Sequence, residues 1–256
     1  MIKKIVLASI ITAATVVAAN AQRPANDEWR DRLVIINPNQ RAEAQNSAGP
    51  WYMSAKAALN FANFKNEYKV VEAPVVAGSD RYAGARTIGF EVAGGYQIDP
   101  MWRLELAYGY SGEFTDKDAG ANFSMLNQTV MANIMANLQQ WGTTSVYLGA
   151  GFGASILQSH WWGPALGTSS KKSSFNPAGQ IIFGAEEQVH RNFALNIQYR
   201  ILFNSGMKHD VEGVQYCVPG NEAACQANPE NFVGTLSTEI ENVITHGIMV
   251  GARVLF

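Results

Sequence analysis

Past residue 22, this 256-residue chain has no run of about 18 consecutive apolar residues, which excludes a transmembrane helix there. The best contender, Val146 to Leu157, is too short. It also carries Gly149, Gly151 and Gly153 at every second position, a spacing that costs a helix and suits a strand. Charge is scarce as well: 16% of residues are charged and the formal net charge is −2, so no basic footprint points to nucleic acid. The four histidines share no ligand spacing, which argues against a metal centre, and no cofactor motif is present. Only two cysteines occur, leaving room for one disulfide at most. What is abundant is apolar residues, 47% of the chain, spread evenly rather than gathered into runs.

The first residues read as a secretory signal, residues 1–21. Lys3 and Lys4 supply the positive start, Ile5 to Ala19 the apolar middle, and Ala19-Asn20-Ala21 the small-x-small cleavage site. A polar N-terminal extension, residues 22–50, follows, with one apolar island, Leu33 to Ile36, stopped by Asn37-Pro38. It is expected on the periplasmic side, packed into a barrel mouth, or added as an edge strand.

From Trp51 the chain alternates with period 2, the spacing that puts apolar residues on one face of a strand. Eight such segments can be marked. They begin at Trp51, Thr87, Trp102, Ser124, Val146, Ala178, Phe193 and about Ile240, and the last ends at Phe256. The third is the cleanest, setting Trp102, Leu104, Leu106, Tyr108 and Tyr110 against Arg103, Glu105, Gly109, Ser111 and Glu113. Short turns at Asp99, Gln140 and Arg191 alternate with long connections over 63–86, 112–123, 158–177 and 204–239. That alternation marks an eight-stranded antiparallel up-and-down transmembrane β-barrel, all-β, with the short turns periplasmic.

The second face of these strands carries Lys56, Glu91, Arg103, Glu105, Glu186, Arg200 and Arg253. A soluble sandwich would turn its apolar face inward; here the charged face is the one that must be enclosed. From His246 to Phe256, at roughly 3.3 Å per residue and a tilt near 40°, the last strand rises about 25 Å, the height of a lipid-facing band. Trp51, Tyr96, Trp102, Phe193 and Phe256 then lie at one level and Tyr108, Tyr110 and Phe203 at the other, as aromatic girdles would.

With these strands marked, residues 51–256 resemble the eight-stranded OmpA-like and opacity-type outer-membrane barrels of Gram-negative bacteria. The resemblance is carried by Y-L-G-A-G-F-G at Tyr147 to Gly153, by Gly184, by Leu195 to Arg200, and by the terminal G-A-R-V-L-F. The C-terminal pattern of Gly251, Val254 and Phe256 resembles the signal by which such barrels are recognised for assembly, which implies the barrel assembly machinery as a partner. The resemblance further implies an outer-membrane location, contact with outer-membrane lipid and lipopolysaccharide, and a role in membrane stability, surface adhesion or antigenicity. Nothing resembles an added peptidoglycan-binding domain.

So narrow a barrel is filled by its own side chains, so the seven inward charges are expected to neutralise one another, Lys56 with Glu91 and Arg253 with Glu186. A small pore is the alternative. A lipid A-modifying enzyme is the other, and it would need a His near a Ser and a carboxylate at the outer rim. The stretch Tyr199 to Ser205, where the deacylases of that group carry His-x-Ser, has no His, and the histidines are expected as scattered loop and interfacial residues. No catalytic residue is assigned. Cys217 and Cys225, both in the longest loop, are expected to form a disulfide worth about 2–3 kcal/mol. Trp161, Trp162, Lys171 and Lys172 are read as third-loop residues: the tryptophans as interfacial anchors or a stacking surface, the lysines as contacts for lipopolysaccharide phosphates or a host or surface ligand. A closed barrel leaves no edge to pair, so a monomer is expected.

Overall fold

The computed structural model describes residues 50–71, 77–117, 122–163, 169–190, 192–215 and 233–256. The expected signal segment, the extension up to Gly49 and the Cys217–Cys225 disulfide lie outside the described residues. The described residues form ten antiparallel strands: β1 Trp51–Val70, β2 Ala77–Gln97, β3 Trp102–Lys117, β4 Asn122–Trp141, β5 Thr144–Trp162, β6 Ser169–His190, β7 Phe193–Asn204, β8 Met207–Gln215, β9 Val233–Ile240 and β10 Val243–Leu255. Each of β1 to β7 pairs with its sequence neighbour, β7 pairs with β10, and β10 closes the ring on β1, from Tyr52↔Leu255 to Asn63↔Ile244. Eight strands therefore form the closed wall. The other two, β8 and β9, carry on from β7 and β10 beyond short breaks and pair with each other; β9 also pairs with the top of β1.

The connections expected over 63–86, 112–123, 158–177 and 204–239 are therefore mostly strand. The ladders climb to Lys69↔Ala77, Lys117↔Asn122 and Trp162↔Ser169 before the chain turns. Only about 9–11 residues of a tilted strand are needed to cross a bilayer, so strands of 20, 21 and 22 residues project well past it. The outward residues mark where the crossing ends. On β1 they run Trp51, Met53, Ala55, Ala57, Leu59, Phe61 and then change to Asn63, Lys65, Glu67 and Lys69. At this upper level Lys65 pairs with Glu67 and Glu241, and Lys208 with Glu239.

Within the crossing, the strands are apolar outside and polar inside. Ile88 and Phe152 are more than three-quarters exposed on the outer wall, whereas Lys56, Glu91 and Arg253 on the inner one are almost wholly buried. Trp51 and Tyr96 meet edge to face, ring centroids 4.9 Å apart, at the end carrying the short turns, with Trp102, Phe193 and Phe256 exposed at that end too. Of the terminal residues, Val254 and Phe256 face outward, Phe256 N donates to Trp51 O at 3.0 Å, and Gly251 backs onto the Lys56 stem.

Above the crossing, the period breaks at three points. Gly84, at φ +75°, forms a bulge opposite Asn63, whose Oδ1 accepts its N–H at 2.8 Å. The extra residue reverses the facing of everything beyond it, so Tyr82 turns inward although Gly89, Glu91 and Ala93 set an odd-numbered inward face below. A second slip lies between Ser111 and Phe114 and turns Phe114 in. The third lies between Val211 and Val214, where Gly213 has φ +77°. All three admit an apolar side chain to the interior at the level where the inner wall stops being charged.

Candidate functional site

The bore has two layers. In the lower one, two carboxylates each gather two cations. Glu91 on β2 reaches Lys56 Nζ on β1 at 2.7 Å and, three strands away round the ring, Arg200 Nη1 on β7 at 2.9 Å. Glu186 on β6 meets Arg253 on β10 and Arg103 Nη1 on β3, the latter at 3.3 Å. Glu105 joins the nodes: it is 3.4 Å from Lys56 Nζ and accepts from Tyr52 at 3.4 Å and from Asn133 at 3.5 Å. The structure thus brings all seven inward charges into one buried network, and both nodes cross the bore. Four cations face three carboxylates, and two of the cations also lie on aromatic faces. Arg103 sits 4.4 Å above the Tyr147 ring and Arg253 5.0 Å above Tyr52. These two tyrosines fit only because their strand neighbours are Gly184 and Gly95, where an added Cβ would run into the tyrosine ring. Cross-bore hydrogen bonds fill the gaps: Gln180 to Asn133 at 2.6 Å and Tyr147 to Gln198 at 3.1 Å.

The upper layer is apolar. Phe64, Phe123, Met125, Leu157, Trp161, Met207, Val211 and Ile240 are buried in one cluster, with Tyr82 and Phe114 packed against it. Tyr82 stacks on Phe64 at 4.7 Å, and Trp161 lies 4.8 Å from Phe123. This corrects the placement of Trp161 and Trp162 in a loop. Both lie on β5, whose alternation runs unbroken past the membrane, so Trp161 follows Leu157 and Ser159 inward and is neither an interfacial anchor nor an open stacking surface. Trp162 faces outward and stacks on His160 at 4.4 Å. Lys171 and Lys172 are also strand residues, on β6, and both are exposed. Burial and the Lys171 ammonium hold the His160 ring below its ordinary pKa.

His209 is likewise not a loop residue. It sits on β8, faces inward and is almost wholly buried, 2.6 Å from Ser159 Oγ through Nδ1 and 2.9 Å from Ser170 Oγ through Nε2. A neutral imidazole, with one N–H and one lone pair, satisfies both contacts. Burial and the Lys172 charge push its pKa down. These bonds cross a seam: among the described residues no backbone ladder joins β8 to β6, and the topmost β6–β7 pair is Ala178↔Asn204. His209 therefore pins the β8–β9 hairpin to β5 and β6. The adjacent Asp210 is exposed and accepts from Ser237 at 2.7 Å, while both His209 ring nitrogens are taken up by the two serines. Sequence alternation does not single out His209, Ser159 and Ser170, because 158–177 and 204–239 read as long connections although β5, β6 and β8 run through them. A signal for it exists in Met207, His209 and Val211, which share one face.

A closed antiparallel ring with an apolar outer wall, a charged interior and short turns at one end defines an integral outer-membrane β-barrel. The chain belongs to the outer membrane protein β-barrel domain family, whose model matches residues 11–215. No curated protein matches it. Among solved structures it is similar to Neisserial surface protein A (17% identity, 80% of this chain and 97% of that one, TM-score 0.45). It is also similar to OprG from Pseudomonas aeruginosa (11%, 81% and 97%, TM-score 0.49) and to Ail of Yersinia pestis (13%, 79% and 98%, TM-score 0.39).

Proposed function

We propose that the protein is a closed, non-enzymatic surface barrel that strengthens the outer membrane and offers its projecting hairpins for attachment. The observation that carries this reading is the two-layer filling of the bore. Ions passing through would have to break the Glu91–Arg200 and Glu186–Arg103 bridges and then cross an aromatic layer. Desolvated charges left without partners are costly, so the network resists opening. Support for attachment comes from the paired strands above the membrane, whose outer faces carry Lys65, Glu67, Lys69, Arg81, Lys171 and Lys208.

Two measurements test this. In planar bilayers the purified chain is expected to give no steady conductance above bare lipid; a reproducible open channel would overturn the closed-bore reading. Cells expressing the chain are expected to attach to host-cell monolayers. Attachment should fall when the first hairpin is cut back to the Lys65↔Arg81 pair and closed with a two-residue turn. Equal attachment by cells lacking the chain would refute the adhesive role and leave the closed barrel intact.

A further inference from the structure

The buried network of the bore divides into two groups of unequal charge. Around Glu91, two cations, Lys56 and Arg200, face two carboxylates, Glu91 and Glu105. Around Glu186, Arg103 and Arg253 share that one carboxylate. Glu105 does not make up the difference, because its oxygens go to Lys56, Tyr52 and Asn133. Among the described residues, the surplus positive charge therefore lies in the Glu186 group. Tyr52, Tyr147 and Gln97 pack there and bring no charge. Two carboxylates at the same end are engaged elsewhere. Asp99 accepts the N–H groups of Met101 and Trp102, both at 2.7 Å, and Glu187 accepts the hydroxyls of Thr143 and Thr144. A buried lysine sheds a surplus charge by losing its proton; a guanidinium cannot. Both arginines are almost wholly buried, so the unmatched charge is costly without a counter-ion.

Hydrogen bonding locates the surplus on Arg103. Arg253 places Nη2 on Glu186 and Nη1 3.5 Å from Gln97 Oε1. Arg200 likewise places one terminal nitrogen on Glu91 and the other on Asn60 Oδ1. Arg103 meets an oxygen through Nη1, Glu186 at 3.3 Å, but its Nη2 faces the Met135 sulfur, a weak acceptor, at 3.8 Å. Nε lacks a hydrogen-bond partner among the described residues in all three arginines, so Nη2 sets Arg103 apart. Nε and Nη2 share one edge of the guanidinium plane, the edge that takes an anion through two parallel N–H bonds. Ser145, opposite Glu186 on the β5–β6 ladder, buries a hydroxyl that is also unpartnered among the described residues. Arg103 faces Gln97 in the last β2–β3 pair before the turn at Asp99, so this edge lies close to the end carrying the short turns.

We propose that the Nε–Nη2 edge of Arg103 is a binding site for one small monovalent anion, a halide or a short monocarboxylate, which brings the Glu186 group to neutrality. A dianion such as phosphate would reverse the imbalance instead of cancelling it. A water molecule would satisfy the donors and leave the charge. The site is independent of whether the hairpins above the membrane adhere.

Urea unfolding of the full chain in phosphatidylcholine vesicles, with chloride exchanged for the bulky monovalent anion gluconate at constant ionic strength, tests the assignment. Chloride is expected to stabilise the chain: above half-saturation, a tenfold rise in chloride should lower the unfolding constant about tenfold. Arg103→Met removes the surplus cation, and Met135→Glu sets a carboxylate where the sulfur stands. Each should abolish the chloride dependence, while Met135→Leu keeps it. Formate acting at lower concentration than chloride identifies the occupant as a carboxylate and the reverse order as a halide; either result supports the site. Crystals grown in bromide should show an anomalous-scattering peak within hydrogen-bond reach of Arg103, and none there in Met135→Glu. Circular dichroism and the heat-dependent gel shift confirm that each variant is folded. Equal stability in chloride and gluconate, a chloride dependence unchanged by Arg103→Met and Met135→Glu, or no bromide peak at Arg103 would each overturn the proposal.

Discussion

Glu91→Gln tests the interior network most sharply. Glu91 is almost wholly buried and holds two cations at once, Lys56 at 2.7 Å and Arg200 at 2.9 Å. Removing one partner of a buried ion pair costs about 3–5 kcal/mol, because the remaining charge stays desolvated. Here the two cations are not left equally exposed to that cost. Lys56 keeps Glu105 at 3.4 Å, whereas Arg200 keeps only the Asn60 side-chain carbonyl oxygen at 3.5 Å. The loss should therefore come mainly from Arg200, and about 4 kcal/mol is expected. Glu105→Gln is the matched control. All of its contacts are 3.4 Å or longer, so about 1–2 kcal/mol is expected. Reversible urea unfolding from lipid vesicles, followed by tryptophan fluorescence, gives both values. Replacing Arg200 by Met in the Glu91→Leu background should recover much of the loss, since an apolar pair leaves no stranded charge. A Glu91→Gln cost below about 1 kcal/mol, or one no larger than that of Glu105→Gln, would refute the idea that buried pairing holds the bore closed.

Three further outcomes follow from particular geometries. The folded chain holds His209 below its ordinary pKa of about 6.5, so the unfolded chain takes up more protons on acidification. Docking of the β8–β9 hairpin should be complete above about pH 6.5 and weaken below it, seen as faster hydrogen exchange at Met207 to Val214; His209→Gln should remove that dependence. Gly184→Val puts a branched side chain where the Tyr147 ring lies and should cost about 1–3 kcal/mol in the same urea assay, with Tyr147→Ala in the same chain restoring part of it. Gly84→Val forces a branched residue to φ +75° and should destabilise by about 1–3 kcal/mol. Hydrogen exchange should localise that effect around Tyr82 and Phe64 and leave Glu91 and Lys56 protected.

How legible the chain is depends on the solvent around each stretch. Between Trp51 and Phe61, or Phe193 and Phe203, lipid on one side and a packed bore on the other allow only strict alternation, so the facing of Lys56 or Arg200 can be read from parity alone. Above the membrane both faces of a strand meet water or protein, and the constraint relaxes. There the bulges at Gly84 and Gly213 shift the count by one, and residues such as Tyr82, Val214 and His209 pass for loop. Trp161 is the converse case: its parity is regular, but β5 carries on into 158–177, which reads as a connection from sequence alone.

By itself the sequence determined the all-β barrel, its eight-stranded ring and the identity of the seven charges inside, because a bilayer forces period 2 on any strand that crosses it. The pairs Lys56–Glu91 and Arg253–Glu186, on near strands at similar depth, were legible too, and the structure has both; only the tertiary structure decided the long-range pairs. Glu91 finds Arg200, and Glu186 finds Arg103, three strands away round the ring, through the stagger and closure of the wall, and no local pattern encodes that distance. The same closure built the apolar upper layer and the seam pinned by His209. Each joins residues from strands that the chain visits far apart.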